Sequence, residues 1–353
     1  MRRSGLISIS LAIMALLLSA CGGGDDDAGS STTEAADTAA SGSASEVSST
    51  VVDDEGESEQ EATSEPDGTR TVDHALGSTE VPIEPERIVV LDPGTMLPTL
   101  LALDIEVAAA PLPEGEESLP TSLLSQDDID AITSVGFPQL SLERVAAVEP
   151  DLIIGFDLAL AESYDQLSAI APTVAVELDL NDWRATAERV AAAIGAEEAM
   201  AAELAAYDER VEQLRTDLGS EIDTEVSIVR ALGPTIRLHT RFHFAGQVIH
   251  DVGFPRPEAQ QTDDPETRMI QVSLEELTEA DGDILFVFGA GAQGSAGEGI
   301  DASIEAIRSH PLYPTLNVAQ NDRVVVVDPL GWQQGGLPAA NLILDDLRTA
   351  FLS

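Results

Sequence analysis

No lysine occurs among the 353 residues; all 17 basic residues are arginine, and they face 64 aspartates and glutamates. The formal charge of −47 excludes nucleic acid as a partner, because a strand or duplex needs a basic surface. An acid excess of this kind keeps a protein solvated but makes it repel itself at low salt. It is the composition expected of a protein from salty surroundings. Cysteine occurs once, at Cys21, so no internal disulfide is possible and the fold must rest on its core. Beyond the first twenty residues no hydrophobic run is long enough to cross a bilayer. The chain also lacks a G-x-S-x-G elbow, a metal-hydrolase signature and any thiol other than Cys21, which disfavours an enzyme.

What is present at the N-terminus points to a compartment. Arg2 and Arg3 precede an apolar stretch over residues 6–18, and Leu18-Ser19-Ala20-Cys21 follows. This is the pattern of a secretory signal over residues 1–20. Its last four residues resemble a bacterial lipobox, which implies that Cys21 is lipidated and anchors the protein outside the cytoplasm. Residues 21–69 form an acidic linker: residues 22–69 hold 14 acids and no base. A segment so poor in apolar groups does not offset its ordering entropy, and its charges extend it.

The remainder is long enough for two cores. Short β-rich runs, Arg87-Ile-Val-Val-Leu91, Asp151-Leu-Ile-Ile-Gly155, Glu225-Val-Ser-Ile-Val-Arg230, Asp283-Ile-Leu-Phe-Val-Phe288 and Arg323-Val-Val-Val-Val327, alternate with helical patterns. That alternation predicts an α/β fold of two Rossmann-like lobes with mostly parallel sheets. The lobes are expected over residues 70–182 and 221–353, joined by linking helices over 183–220. Asp182 is the expected N-cap of the first linking helix, and Gly195 its stop. The second carries Met200, Leu204, Tyr207, Val211, Leu214 and Leu218 at spacings of 4, 3, 4, 3 and 4, one apolar stripe on a long, rigid backbone helix of ~30 Å. The lobes echo each other at an offset of 132: Gln139-Leu-Ser-Leu-Glu143 returns as Gln271-Val-Ser-Leu-Glu275, Asp151 as Asp283, and Phe156 as Phe288.

Several segments in order resemble the iron-siderophore and cobalamin binding proteins of ABC importers, the class with a helical backbone between two lobes. They include Val72-Asp-His-Ala-Leu-Gly77, Ser141-Leu-Glu-Arg-Val-Ala-Ala-Val-Glu-Pro-Asp-Leu-Ile-Ile-Gly155, Tyr164-Asp-Gln-Leu-Ser-Ala-Ile-Ala-Pro-Thr-Val174, Gly253-Phe-Pro-Arg-Pro257, His310-Pro-Leu-Tyr313 and Ala339-Ala-Asn-Leu-Ile-Leu-Asp-Asp346. The resemblance implies a cleft between the lobes, a ferric siderophore as ligand, and delivery to an importer permease by a monomer with no cofactor and no chemistry of its own. Cobalamin or haem is the second reading, and hydrolysis of an ester siderophore the enzymatic one.

An anionic ferric complex needs a local positive cluster in so acidic a chain. A unit-charge pair at ~5 Å contributes about 3 kcal/mol at an effective dielectric of about 20. The candidates are Arg230, Arg237 and Arg241, three of the chain's arginines within 12 residues; Arg241 and Trp332 also match ligand-facing positions of the siderophore branch. His239 and His243 are four apart, a helical metal spacing, but Arg-Leu-His-Thr-Arg-Phe-His reads as a strand leaving into a loop, and no metal site is expected. Gly289-Ala-Gly-Ala-Gln-Gly294 fits G-x-G-x-x-G without the acid that would hold a ribose, so a loop at the cleft mouth is the expectation there. Glu143 and Glu275, at matching places in the repeat, are expected to dock the permease, as the resemblance implies.

Overall fold

The computed structural model describes residues 68–113, 122–289 and 298–353. The signal sequence, Cys21, the acidic linker and nearly all of the glycine-rich loop lie outside the described residues. An antiparallel hairpin, β1 (Thr69–His74) and β2 (Gly77–Pro82), opens the fold. The N-terminal lobe follows. Its five-stranded sheet has the order β5-β4-β3-β6-β7, from β3 (Ile88–Val90), β4 (Val107–Ala110), β5 (Thr133–Ser134), β6 (Leu152–Phe156) and β7 (Thr173–Val176), and every pairing is parallel. The second sheet has the order β10-β9-β8-β11-β12, from β8 (Val226–Ala231), β9 (Thr235–His239), β10 (Met269–Ser273), β11 (Ile284–Gly289) and β12 (Val324–Val326). Here β8, β11 and β12 pair parallel, whereas β9 pairs antiparallel with both β8 and β10 and is the one reversed strand of the five. This sheet is therefore mixed: β9 returns from β8 through a short turn at Gly233, whose φ is +90°, and a connection that short cannot make a parallel crossover.

The linking helices form where local signals place them. Asp182 accepts a hydrogen bond from Ala185 N at 3.0 Å and starts the helix Trp183–Ile194. Gly195 ends it with a left-handed φ of +79°. All six stripe residues of the helix Glu197–Leu218 are buried. The bridge between lobes is shared by the two helices. Val190, Ala193 and Ile194 pack with the N-terminal sheet, while Trp183, Ala187 and Ala191 join a core that includes the long helix and the second sheet. Arg184 fastens the pair, at 2.7 Å from Asp208 and 3.3 Å from Asp251.

The repeated motif performs one task twice. Asp151, just ahead of β6, accepts from Glu86 N and Arg87 N just ahead of β3. Asp283, just ahead of β11, accepts from Glu225 N just ahead of β8. Each acid thus holds the entry of the neighbouring parallel strand, at the same offset in both lobes.

Candidate functional site

The lobes meet around a cavity of about 190 Å³. Its N-terminal wall is built where strands of the first sheet end: Asp92 and Thr95 beyond β3, Phe156 at the tip of β6, and residues 178–180 beyond β7. Trp183 and Thr186 of the linking helix close its base. The C-terminal wall is His243, Phe244, Gln247, Arg268, Gln333, Gln334, Gly335 and Gly336. Gln247 ties the walls together. Its amide nitrogen donates to Leu180 O at 3.1 Å, and its oxygen accepts from Trp183 N at 3.1 Å. A second tie runs from Gly335 N to Thr95 Oγ1 at 3.2 Å.

Asp92 is half-buried in this lining, and its desolvation there pushes its carboxyl above the usual range, although Thr95 N and Met96 N donate to it and oppose the shift. From the second lobe Arg268 lines the same cavity, and Arg230 and Arg256 join it in acting on the lining residue His243. Arg230 on β8 and Arg237 on β9 stand directly opposite each other in the antiparallel pairing. Like charges in that position repel. Burial and then Arg237 lower the Arg230 pKa, and the Arg230 Nε is buried without a hydrogen-bond partner. Arg237 Nε makes only a 3.4 Å bond, to Gln271 Oε1. No described carboxylate lies within salt-bridge distance of Arg230, Arg237, Arg241, Arg256 or Arg268. In a chain with nearly four acids per arginine, this is a patch kept clear of counter-charge.

Two histidines lie inside that patch. His239 ends β9 fully buried, and its ring lies against that of His243 with centroids 3.7 Å apart and planes tilted by 37°. The turn between them is held by Thr240, whose N and Oγ1 donate to Arg268 O and whose Oγ1 also donates to Thr267 O. That fastening brings Arg268 beside the histidines. Gly246 lets the helix Phe244–Val252 press on this turn: a Cβ there would stand 1.9 Å from Thr240 O. Below, Arg256 donates to His239 O at 2.6 Å and to Gln260 Oε1; its full burial lowers its pKa to about 9. Burial, then His243 and the arginines, hold His239 well below its usual value. Burial, then Arg268, Arg230 and Arg256, bring His243 down to about 3. Both rings are therefore neutral at physiological pH.

The sequence-derived candidates divide. Arg230 and Arg237 join the histidine cluster. Arg241 is exposed, with its guanidinium over the Phe242 ring at 4.5 Å. It borders a neighbouring hollow of about 340 Å³ that shares Trp183 and Gln247 with the cavity. Trp332 is corrected: it is a core residue, 0 % exposed, stacked on Phe286 at 4.8 Å, with its indole N–H donating to Asp346 at 2.7 Å. Its neighbours Gln333 and Gln334 reach the cavity instead. Among the described residues no group of three metal-ligating side chains occurs. Glu143 and Glu275 are both exposed. Glu143 follows Ser141, which caps the helix Leu142–Ala147; its own backbone N–H and the Ser141 hydroxyl lower its pKa. Glu275 lies in a 3-10 helix, Leu274–Ala280, rather than an α-helix.

A family profile described as periplasmic binding protein matches residues 100–330. The chain belongs to the periplasmic binding protein family. Among curated members, a probable siderophore-binding lipoprotein of Bacillus subtilis, YfiY, is 33 % identical over 80 % of this chain and 88 % of its own length. The petrobactin-binding protein YclQ of the same species is 28 % identical over 79 % and 87 %. Among solved members, Staphylococcus aureus SirA with staphyloferrin B superposes with a TM-score of 0.67 at 24 % identity, covering 80 % of this chain and 98 % of that one. It shares the fold of two lobes and linking helices.

Proposed function

We propose that this protein is the extracytoplasmic binding component of an ABC importer for iron(III)–siderophore complexes, held to the membrane through lipidated Cys21, and that it performs no chemistry. The observation that carries the ligand class is the cluster of Arg230, Arg237 and Arg268 around the two histidines, of which Arg268 and His243 line the cavity, with no described carboxylate within salt-bridge distance of the three in a chain of charge −47, and with Arg241 bordering the adjoining hollow. An anionic complex gains charge-assisted bonds there. The names of YfiY and YclQ, which carry siderophore and petrobactin, support the same class. The test is a binding screen by tryptophan fluorescence, in which Trp183 lines the cavity and reports occupancy. Ferric citrate, ferric enterobactin, ferrichrome, ferrioxamine B, haem and cobalamin form the panel. At least one ferric siderophore should bind with a Kd of about 1 μM or tighter. Binding confined to haem or cobalamin overturns the ligand assignment, and turnover of an ester-linked siderophore overturns the absence of chemistry.

A further inference from the structure

Three nitrogens of the histidine pair, Nδ1 and Nε2 of His239 and Nδ1 of His243, are buried with no hydrogen-bond partner. Buried polar atoms are nearly always partnered, and none of the fold's strand or helix bonding requires imidazoles here. An apolar pair of similar size would fill the space without that cost. The groups facing the pair are Arg230 from β8, Arg237 from β9, Arg256 from below and Arg268 from the segment before β10. Phe288 of β11 presents its ring at 5.3 Å from His239. Asp92 and Asp179 line the cavity from the opposite lobe. The arrangement repels protons while the cleft is empty, because the rings are buried and four guanidiniums act on them. A multiply charged anion beside His243 reverses that field. Two rings at 3.7 Å then hold one shared positive charge, the neutral ring facing the charged one, while a second proton is opposed by the first.

Resting on the proposed function, we propose that the His239–His243 pair takes up one proton as an anionic iron(III) complex enters the cleft, so that the protein selects anionic complexes and holds them more tightly as pH falls. The proton comes from solvent and resides on an imidazole nitrogen; nothing is oxidised or reduced.

The experiment is calorimetric titration of the full chain with ferric citrate and ferric enterobactin, in buffers of different ionisation enthalpy, at about pH 5.5 and about pH 8. The dependence of the observed enthalpy on the buffer counts protons. Linkage predicts uptake of about 0.5 proton per complex at the lower pH, falling toward zero at the higher, and affinity about twofold greater at the lower pH than at the higher. His243→Gln, which keeps a polar side chain at the start of its helix, should remove this uptake while far-ultraviolet dichroism stays that of the parent. Uptake that persists in His243→Gln and disappears in Asp92→Asn assigns the proton to the buried carboxyl and overturns the proposal. So does a wild-type buffer dependence near zero at both pH values. If neither anionic complex binds while ferrichrome or ferrioxamine B does, the proposal falls and the siderophore assignment stands; if no ferric complex binds, both fall.

Discussion

At the residue scale, the basic wall trades stability for binding. Arg237 faces Arg230 across the β8–β9 pair with no acid to balance them. Arg237→Gln removes a cross-strand repulsion of about 0.2–1 kcal/mol. The empty variant should melt at the same temperature as the parent or slightly above it, yet bind an anionic ferric complex about tenfold more weakly, a loss of about 1.4 kcal/mol. A lower melting temperature with unchanged affinity would make Arg237 an ordinary surface group. The histidines give a pH signature to the empty protein. Their folded pKa values lie below the ordinary 6.5, His243 at about 3. Groups depressed in this way stabilise the fold above 6.5 and lose that contribution as pH falls toward the folded value, because the unfolded chain binds the protons first. Denaturant unfolding should therefore show stability declining below about pH 6.5, with a shallower decline in His243→Gln. A parallel decline in both proteins would show that His243 ionises as readily in the fold as in the open chain.

At the scale of elements, the local features were legible in the sequence and the long-range ones were not. Asp182, Gly195 and the six-residue stripe define the linking helices from spacing and caps alone, and each takes its expected place. The β-rich runs around residues 88, 152, 226, 284 and 324 are strands. Short strands such as Thr133–Ser134 and Val107–Ala110 carry too few β-branched residues in too short a run to announce themselves. Arg268 follows an acid-rich stretch and carries no motif; Thr240 brings it to the cleft across 28 residues. Trp332 matches a ligand-facing position by resemblance yet packs in the core, because its partner Phe286 lies 46 positions away and local sequence does not reveal the contact. The stretch was right and the residue wrong, since Gln333 and Gln334 line the cavity. Glu143 and Glu275, one on each lobe after equivalent caps, are proposed to dock a two-fold permease, since exposed charges of this kind set register and on-rate. The double alanine variant should keep its melting temperature and siderophore affinity and lose uptake in cells. Normal uptake, or loss of binding instead, would refute the docking role.

At the scale of the whole molecule, charge governs behaviour. With 64 acids against 17 arginines, repulsion weakens the fold at low ionic strength, and screening relieves it as the Debye length falls from ~30 Å at 0.01 M to ~3 Å at 1 M salt. The melting temperature should rise over that range; a fall would show that attractive pairs outweigh the excess. No described helix is long and apolar enough to cross a membrane; the attachment proposed above is through Cys21. Cys21→Ala should move the protein from the detergent phase to the aqueous phase, and retention in detergent would sink the anchor.

The arginines are divided between two duties. Arg184, Arg189, Arg210, Arg215 and Arg348 form ion pairs on the linking and C-terminal helices, while Arg230, Arg237 and Arg268 stand without acids at the cleft. The consequence appears in mutational tolerance. Single acids on the surface are nearly interchangeable, because dozens of others remain and removing one relieves repulsion. The arginines of the histidine cluster and Arg184 are the hardest to replace, since loss of Arg184 leaves Asp251 without its ion pair and loss of Arg230, Arg237 or Arg268 thins the positive cluster. A saturation library scored for iron-limited growth would show acidic positions drifting freely, including to neutral residues, except at the ion pairs, at the strand-entry acids Asp151 and Asp283 and at Glu143 and Glu275, and would show Arg230, Arg237 and Arg268 almost fixed. Lysine would be a poor substitute at the paired sites, where the planar fork meets two acceptors at once.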